Sequence, residues 1–104
     1  MPCPTILVGK KASFDGSTIV ARNEDSSNGE FCPKRFVSVD PAGKTSYTSV
    51  ISHLTVPLPQ GGVRYTAMPN ADLKEGLWEE AGVNAHNVGM SATETLTTNE
   101  RVLA

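Results

Sequence analysis

The chain has 104 residues, enough for one small domain. Apolar residues make up 38% of it and only six are aromatic, a thin supply for a free-standing core, so part of the apolar surface is expected to meet more chain or another subunit. Nine basic residues against eleven acidic ones give a formal net charge of −2. The basic residues are scattered, which argues against a nucleic-acid partner, and apolar runs as short as Ile6 to Val8 cannot span a bilayer. No basic segment followed by an apolar stretch opens the chain, so secretion is not expected and a cytoplasmic protein is.

The first predicted element is a strand over Thr5-Ile6-Leu7-Val8, whose continuous apolar run suits a strand covered on both faces. A polar connection from Lys10 leads to the turn signal Asp15-Gly16. Ser17 to Asn23 then reads as a second strand. An antiparallel hairpin of the two brings the end of the second strand back beside Cys3, because both sit at its open end. Asp25 to Pro33 is a polar loop. Phe36 to Val39 and Ser46 to Ile51 are further strands, joined by the turn residues Asp40-Pro41-Ala42-Gly43. Pro57, Pro59 and Gly61-Gly62 break the next stretch into loop or edge strand, and Val63 to Met68 is extended again. Leu73 and Leu77 are four apart, the spacing of one helical turn, which Gly76 weakens. Val83 to Thr98 has the β-branched content of one or two strands. Helices usually cover a sheet that is apolar on both faces, and none is predicted here. The chain is therefore expected to be incomplete, cut at Arg101-Val102-Leu103-Ala104.

Two constellations carry chemistry. Cys3 and Cys32 are the only cysteines, too few for a disulfide framework, and with His53 and His86 they lack the close spacing of a zinc site. A lone cysteine is more often an inert small hydrophobe than a nucleophile. Removing two residues, however, would make Cys3 the N-terminus. An α-amine has a pKa of about 7.7–8.0 and accepts a proton near neutrality, so thiol and general base would then belong to one residue, without a histidine. The second constellation is Arg22-Asn23-Glu24-Asp25, which could simply be an exposed charged strand end. Beside Cys3, a guanidinium would favour the thiolate or hold a carboxylate, and a carboxylate could hold the terminal ammonium. Arg22 and Asp25 are three apart, so the backbone must bend between them for both to face the thiol.

The segments Cys3 to Ser13, Asp15-Gly16-Ser17-Thr18, Ala21 to Ser26, Gly76 to Asn84 and Met90 to Thr95 resemble, in order, the start of the dipeptidase A family of N-terminal-nucleophile hydrolases. The resemblance implies an α+β protein, the N-terminal part of a four-layer αββα fold. In this reading residues 1–104 form an almost entirely β-stranded portion of one domain, with residues 1–2 removed. It implies hydrolysis of dipeptides by a cysteine thiolate through an acyl-enzyme, with no cofactor and no metal. Cys3 matches the nucleophile, and Arg22 and Asp25 the pair that flanks it. Asn84, Thr93 and Glu94 lie where related amide hydrolases place substrate and oxyanion contacts. The full-length parent is expected to be a homo-oligomer. Pro4 departs from the family, which usually has a hydroxyl-bearing residue after the nucleophile, and family members are considerably longer. Two other readings remain open here: a non-catalytic interaction module of the same fold, and an acyl-amide hydrolase of the penicillin or bile-salt amidase type.

The isolated 104-residue chain is expected not to fold stably or to turn over dipeptides. Each exposed apolar strand residue forfeits roughly 1.5–3 kcal/mol, against a domain stability of about 5–15 kcal/mol. Aggregation or binding of a hydrophobic dye is the expected outcome; a cooperative thermal transition from a monomer that hydrolyses dipeptides is the contrary one.

Overall fold

The computed structural model describes residues 3–25, 29–92 and 99–103. Among them are eight short strands: β1 (Thr5–Val8), β2 (Ile19–Arg22), β3 (Val37–Val39), β4 (Ser46–Thr48), β5 (Thr55–Pro57), β6 (Tyr65–Ala67), β7 (Ala81–Asn84) and β8 (Gly89–Ser91). A four-residue helix, α1 (Glu100–Leu103), follows, and no helix of the described residues is long and apolar enough to cross a membrane. The chain divides into two compact units, Met1–Glu30 with Ala92–Ala104, and Phe31–Ser91.

The first unit is built on the expected hairpin. β1 and β2 pair antiparallel, with Thr5 opposite Arg22, Ile6 opposite Ala21, Leu7 opposite Val20 and Val8 opposite Ile19. Beyond them the Asn23 N–H donates to the Pro4 carbonyl at 3.4 Å, continuing the pairing by one step. The second strand starts at Ile19 rather than Ser17 because the turn claims the preceding residues. Asp15 accepts a hydrogen bond from the Ser17 N–H at 3.0 Å, and the Ser13 hydroxyl donates to the Ser17 carbonyl at 2.6 Å. Gly16 supplies the positive φ of 76° there. Successive side chains alternate between the faces, so Ile6 and Leu7 lie on opposite sides. They are 63% and 74% exposed, so both faces carry open apolar surface.

In the second unit β3, β6, β7 and β8 form a four-stranded antiparallel sheet in that order, and β4 and β5 form a separate two-stranded ribbon. The strand expected over Ser46 to Ile51 stops at Thr48. From Ser49 the chain turns, with the Ser49 N–H on the Leu54 carbonyl and the His53 N–H on the Ser49 carbonyl. β5, in the proline-broken stretch, is the edge-strand alternative realised. The expected turn at Asp40–Gly43 is present: Asp40 accepts from the Ala42 N–H at 3.0 Å and pairs with Arg64 at 2.8 Å. Arg64, and secondarily the Ala42 N–H, hold the Asp40 carboxyl below its ordinary value.

No helical turn forms between Leu73 and Leu77, contrary to the spacing. A tight turn replaces it, closed by the Gly76 N–H on the Leu73 carbonyl, with Gly76 at φ 97°. The competing interaction is Asn70, which is buried. Its Nδ2 donates to the Asp72 carbonyl and, at 3.1 Å, to the Gly76 carbonyl, and its Oδ1 accepts from the Trp78 N–H at 2.8 Å. A side-chain amide thus satisfies the backbone groups that a helix would have paired internally. Ala67 in β6 is buried and faces Gly82 across the ladder.

A Cβ built on Gly82 would lie 2.5 Å from the Thr66 carbonyl oxygen, whereas one on Gly9 meets nothing within 4 Å. Gly82→Ala is therefore expected to destabilise the protein by about 1–3 kcal/mol, and Gly9→Ala to be neutral within about 0.5 kcal/mol. Thermal unfolding of both variants checks this; equal melting temperatures would contradict the tight β6–β7 approach.

Candidate functional site

The register of the hairpin places Cys3 in relation to Arg22. Residues two apart on an extended chain share a face, and residues directly opposite each other on paired strands share one too. Thr5 is opposite Arg22, so with the chain extended through Pro4, as the Asn23–Pro4 bond indicates, Cys3, Thr5 and Arg22 belong to one face. Cys3 and Arg22 are diagonal neighbours at its open end. Cys3 is only 6% exposed and Arg22 is half-buried. On the opposite face Ile6 and Ala21 are exposed. Cys32 is exposed, and both cysteines are free thiols.

β2 ends at Arg22, which gives the chain the freedom to bend before Asp25. Asp25 is half-buried. The Asn23 side-chain amide donates to both of its carboxylate oxygens, at 3.2 and 3.1 Å. This i to i+2 contact sets the conformation between the strand end and the carboxylate, and it gives Asn23 a positioning part that the sequence had not suggested. Thr93 and Glu94 lie outside the described residues.

Asn84 lies in the second unit, at the end of β7. Its Oδ1 accepts from the His86 and Val88 N–H groups, each at 3.0 Å, and its carbonyl accepts from the Asn87 N–H at 2.9 Å. Asn87 takes a left-handed φ of 60°, a conformation asparagine tolerates better than most residues, and it completes a three-residue hairpin loop. The side-chain oxygen of Asn84 is thus committed to the β7–β8 turn. Its Nδ2 donor is what remains for another partner. Asn84 also lines a cleft of about 420 Å³ with Pro59, Gly62, Val63, Val88 and Met90.

A second constellation was not foreseen in the sequence. The Tyr65 hydroxyl donates to the Glu79 carboxylate, 2.9 and 3.0 Å from its two oxygens. Burial, then the hydrogen bond to Glu79 and its charge, push the Tyr65 phenol up to about 12. The phenol therefore stays protonated and donating across the neutral range. Just after Glu79 the chain makes a three-residue turn, the Ala81 N–H meeting the Glu79 carbonyl at 2.6 Å with Glu80 at φ 60°. A non-glycine residue there stores about 1–3 kcal/mol of strain, and the turn sends Glu79 and Glu80 to different partners: Glu80 pairs with Lys34 at 3.9 Å. Tyr65 and Glu79 are 14 positions apart, with no motif to join them. The only sequence signal was that Glu79 falls within the Gly76 to Asn84 block. Among the described residues, no three of His, Cys, Asp or Glu come together as a metal site.

Residues 2–104 match peptidase family C69. The chain is 71% identical over 104 residues to a dipeptidase from Bifidobacterium longum (strain NCC 2705), a match covering 99% of this chain and 20% of that protein. It is 58% identical over 104 residues to a probable dipeptidase A from Streptococcus pyogenes serotype M3 (strain SSI-1), covering 99% of this chain and 22% of the relative. It is 49% identical over 104 residues to dipeptidase A from Lactobacillus helveticus, covering 96% and 22%. The chain thus spans about a fifth of the length of these relatives.

The Tyr65–Glu79 pair makes a pH prediction. The phenol is raised from its ordinary 10.0 to about 12 in the folded protein, so its contribution to stability is fully present below about pH 10. It is lost as pH rises through about 12. Tyrosinate absorbance of the folded protein should show a phenol ionising near pH 12 that is absent from Tyr65→Phe. Glu79→Gln should lower that midpoint without returning it to the ordinary value, because burial is the larger cause. A Tyr65 phenol titrating near 10 in the folded protein would contradict the geometry.

Proposed function

The chain belongs to peptidase family C69, and on that premise we propose that it is the N-terminal portion of a cysteine-type dipeptidase acting in the cytoplasm. The observation that carries the reading is the hairpin register, which puts Arg22 on the face and at the end of the ladder where Cys3 lies. The dipeptidase names of the relatives support the substrate class. The exposed apolar side chains on both faces of β1–β2 support a parent fold in which further layers cover this sheet, as in a four-layer αββα hydrolase with residues 1–104 forming part of one domain.

In the proposed reaction Met1 and Pro2 are removed and the freed α-amine of Cys3 takes the thiol proton. The sulfur attacks the scissile carbonyl, forming a C–S bond and a tetrahedral oxyanion. Backbone and amide N–H donors oppose the oxyanion charge, for which the Nδ2 of Asn84 and the backbone at Thr93 and Glu94 are the candidates. Collapse of the intermediate breaks the C–N bond, and the α-ammonium of Cys3 gives its proton to the departing amine. Water then cleaves the thioester, releasing the acid and restoring the thiol. Arg22 favours the thiolate electrostatically, and Asp25, set by Asn23, holds the ammonium of Cys3. No cofactor enters these steps. The parent is proposed to act as a homo-oligomer.

Cys3→Ala in the full-length parent should lower dipeptide hydrolysis by at least about 10³-fold, as loss of a catalytic nucleophile does. Cys32→Ser should leave most of it. Hydrolysis retained in the Cys3→Ala protein would remove Cys3 as nucleophile. Arg22→Ala should slow alkylation of Cys3 by iodoacetamide at neutral pH, and an unchanged rate would return Arg22 to the role of a solvated strand end.

A further inference from the structure

The Tyr65–Glu79 pair lines a cleft of about 450 Å³ within the second unit, a volume in the range of small-molecule sites. Val39, Leu58, Leu77 and Tyr47 supply apolar wall, and Lys44 supplies a cation. Glu79 is half-buried, and Tyr65 donates to it. Among the described residues no Lys, Arg or His pairs with Glu79, and no carboxylate pairs with Lys44. A half-buried carboxylate among apolar walls is costly unless a cation joins it. A neutral hydroxyl donor supplies one hydrogen bond and leaves the charge uncompensated. The carboxylate oxygens also keep lone pairs beyond those that Tyr65 uses.

Tyr65 fixes the carboxylate in advance, and the Glu80 turn and the Asn70-held loop fix the backbone that carries it. A ligand therefore meets an ordered anion and loses little to side-chain ordering. The chemistry that complements the cleft is a primary ammonium for Glu79, an apolar body for the walls and a carboxylate for Lys44.

We propose that this cleft binds a free apolar amino acid, with its ammonium on Glu79 and its carboxylate toward Lys44. The site stands on its own residues and does not depend on the reaction proposed for Cys3.

The test is equilibrium binding, by calorimetry, to the full-length parent carrying Cys3→Ala, so that nothing is turned over. The probes are leucine, leucinamide (no carboxylate) and 4-methylpentanoate (no ammonium). Leucine and leucinamide should bind saturably, and 4-methylpentanoate at least tenfold more weakly. Glu79→Gln should weaken both amines at least tenfold, while Lys44→Ala should weaken leucine and leave leucinamide unchanged. Leu58→Trp, which fills the cleft from a wall, should abolish binding and decides the matter if Glu79→Gln fails to fold. Binding of leucinamide undiminished by Glu79→Gln or Leu58→Trp would overturn the site. So would no binding of either amine, the outcome expected if a cation from elsewhere in the parent occupies Glu79. Dipeptide hydrolysis by the Cys3-containing parent, measured in parallel, separates failure of this site from failure of the proposed reaction.

Discussion

The hydrogen bond from the Asn23 N–H to the Pro4 carbonyl carries the β1–β2 ladder past Thr5 and ties the chain just after Cys3 to the end of the second strand. A shift of one residue in that register would move every side chain of β2 to the other face, and Arg22 would then lie across the sheet from Cys3. The register is set far from the site, in the connection between the strands. There Asp15 and Ser13 both bond to Ser17, and Gly16 takes the one backbone conformation that most residues avoid. Two-stranded hairpins are marginal alone, and this one exposes apolar side chains on both faces. The geometry beside Cys3 is thus specified locally, while its stability is expected to come from chain that covers the sheet.

The second unit shows the same division between local specification and thin burial. Among the described residues its buried positions are few, Ala67 and Pro69 beside Gly76, and its buried polar residue is Asn70. Asn70 uses its amide to organise the loop from Asp72 to Trp78, and that loop delivers Glu79 and Glu80 to opposite duties, one to Tyr65 and one to Lys34. A strained residue at the point where the chain divides two carboxylates is the kind of feature that persists only where its surroundings hold it. Polar side chains, rather than a packed apolar core, define this unit's shape.

Much of the strand order was legible in the residues. β-branched runs and turn residues located β1, β2, β3, β6 and the Asp40 to Gly43 turn, because those signals are short-range. The hairpin followed from one turn signal, and with it the nearness of Arg22 to the Cys3 end. The Leu73 to Leu77 spacing misled for a physical reason: a helix there competes with Asn70, which bonds backbone groups two to eight residues away and wins them for a loop. β4 ended early because a turn closed between Ser49 and His53 begins within the predicted strand. Tyr65 and Glu79 could not be joined by reading along the chain, since their pairing depends on the β6–β7 register and on the turn at Glu80. The resemblance to dipeptidases, in contrast, rests on blocks spread over most of the chain, and the family match covers residues 2–104.

The proposal that Cys3 is both nucleophile and base requires its amine to be free, and the N-terminal mass of the active parent tests this most directly. Intact-mass and peptide analysis of purified, dipeptide-hydrolysing parent should find a mature chain that begins at Cys3, with Met1 and Pro2 absent. An active enzyme that retains Met1 or Pro2 has no cysteine amine to accept the thiol proton, and that result would contradict the proposed chemistry.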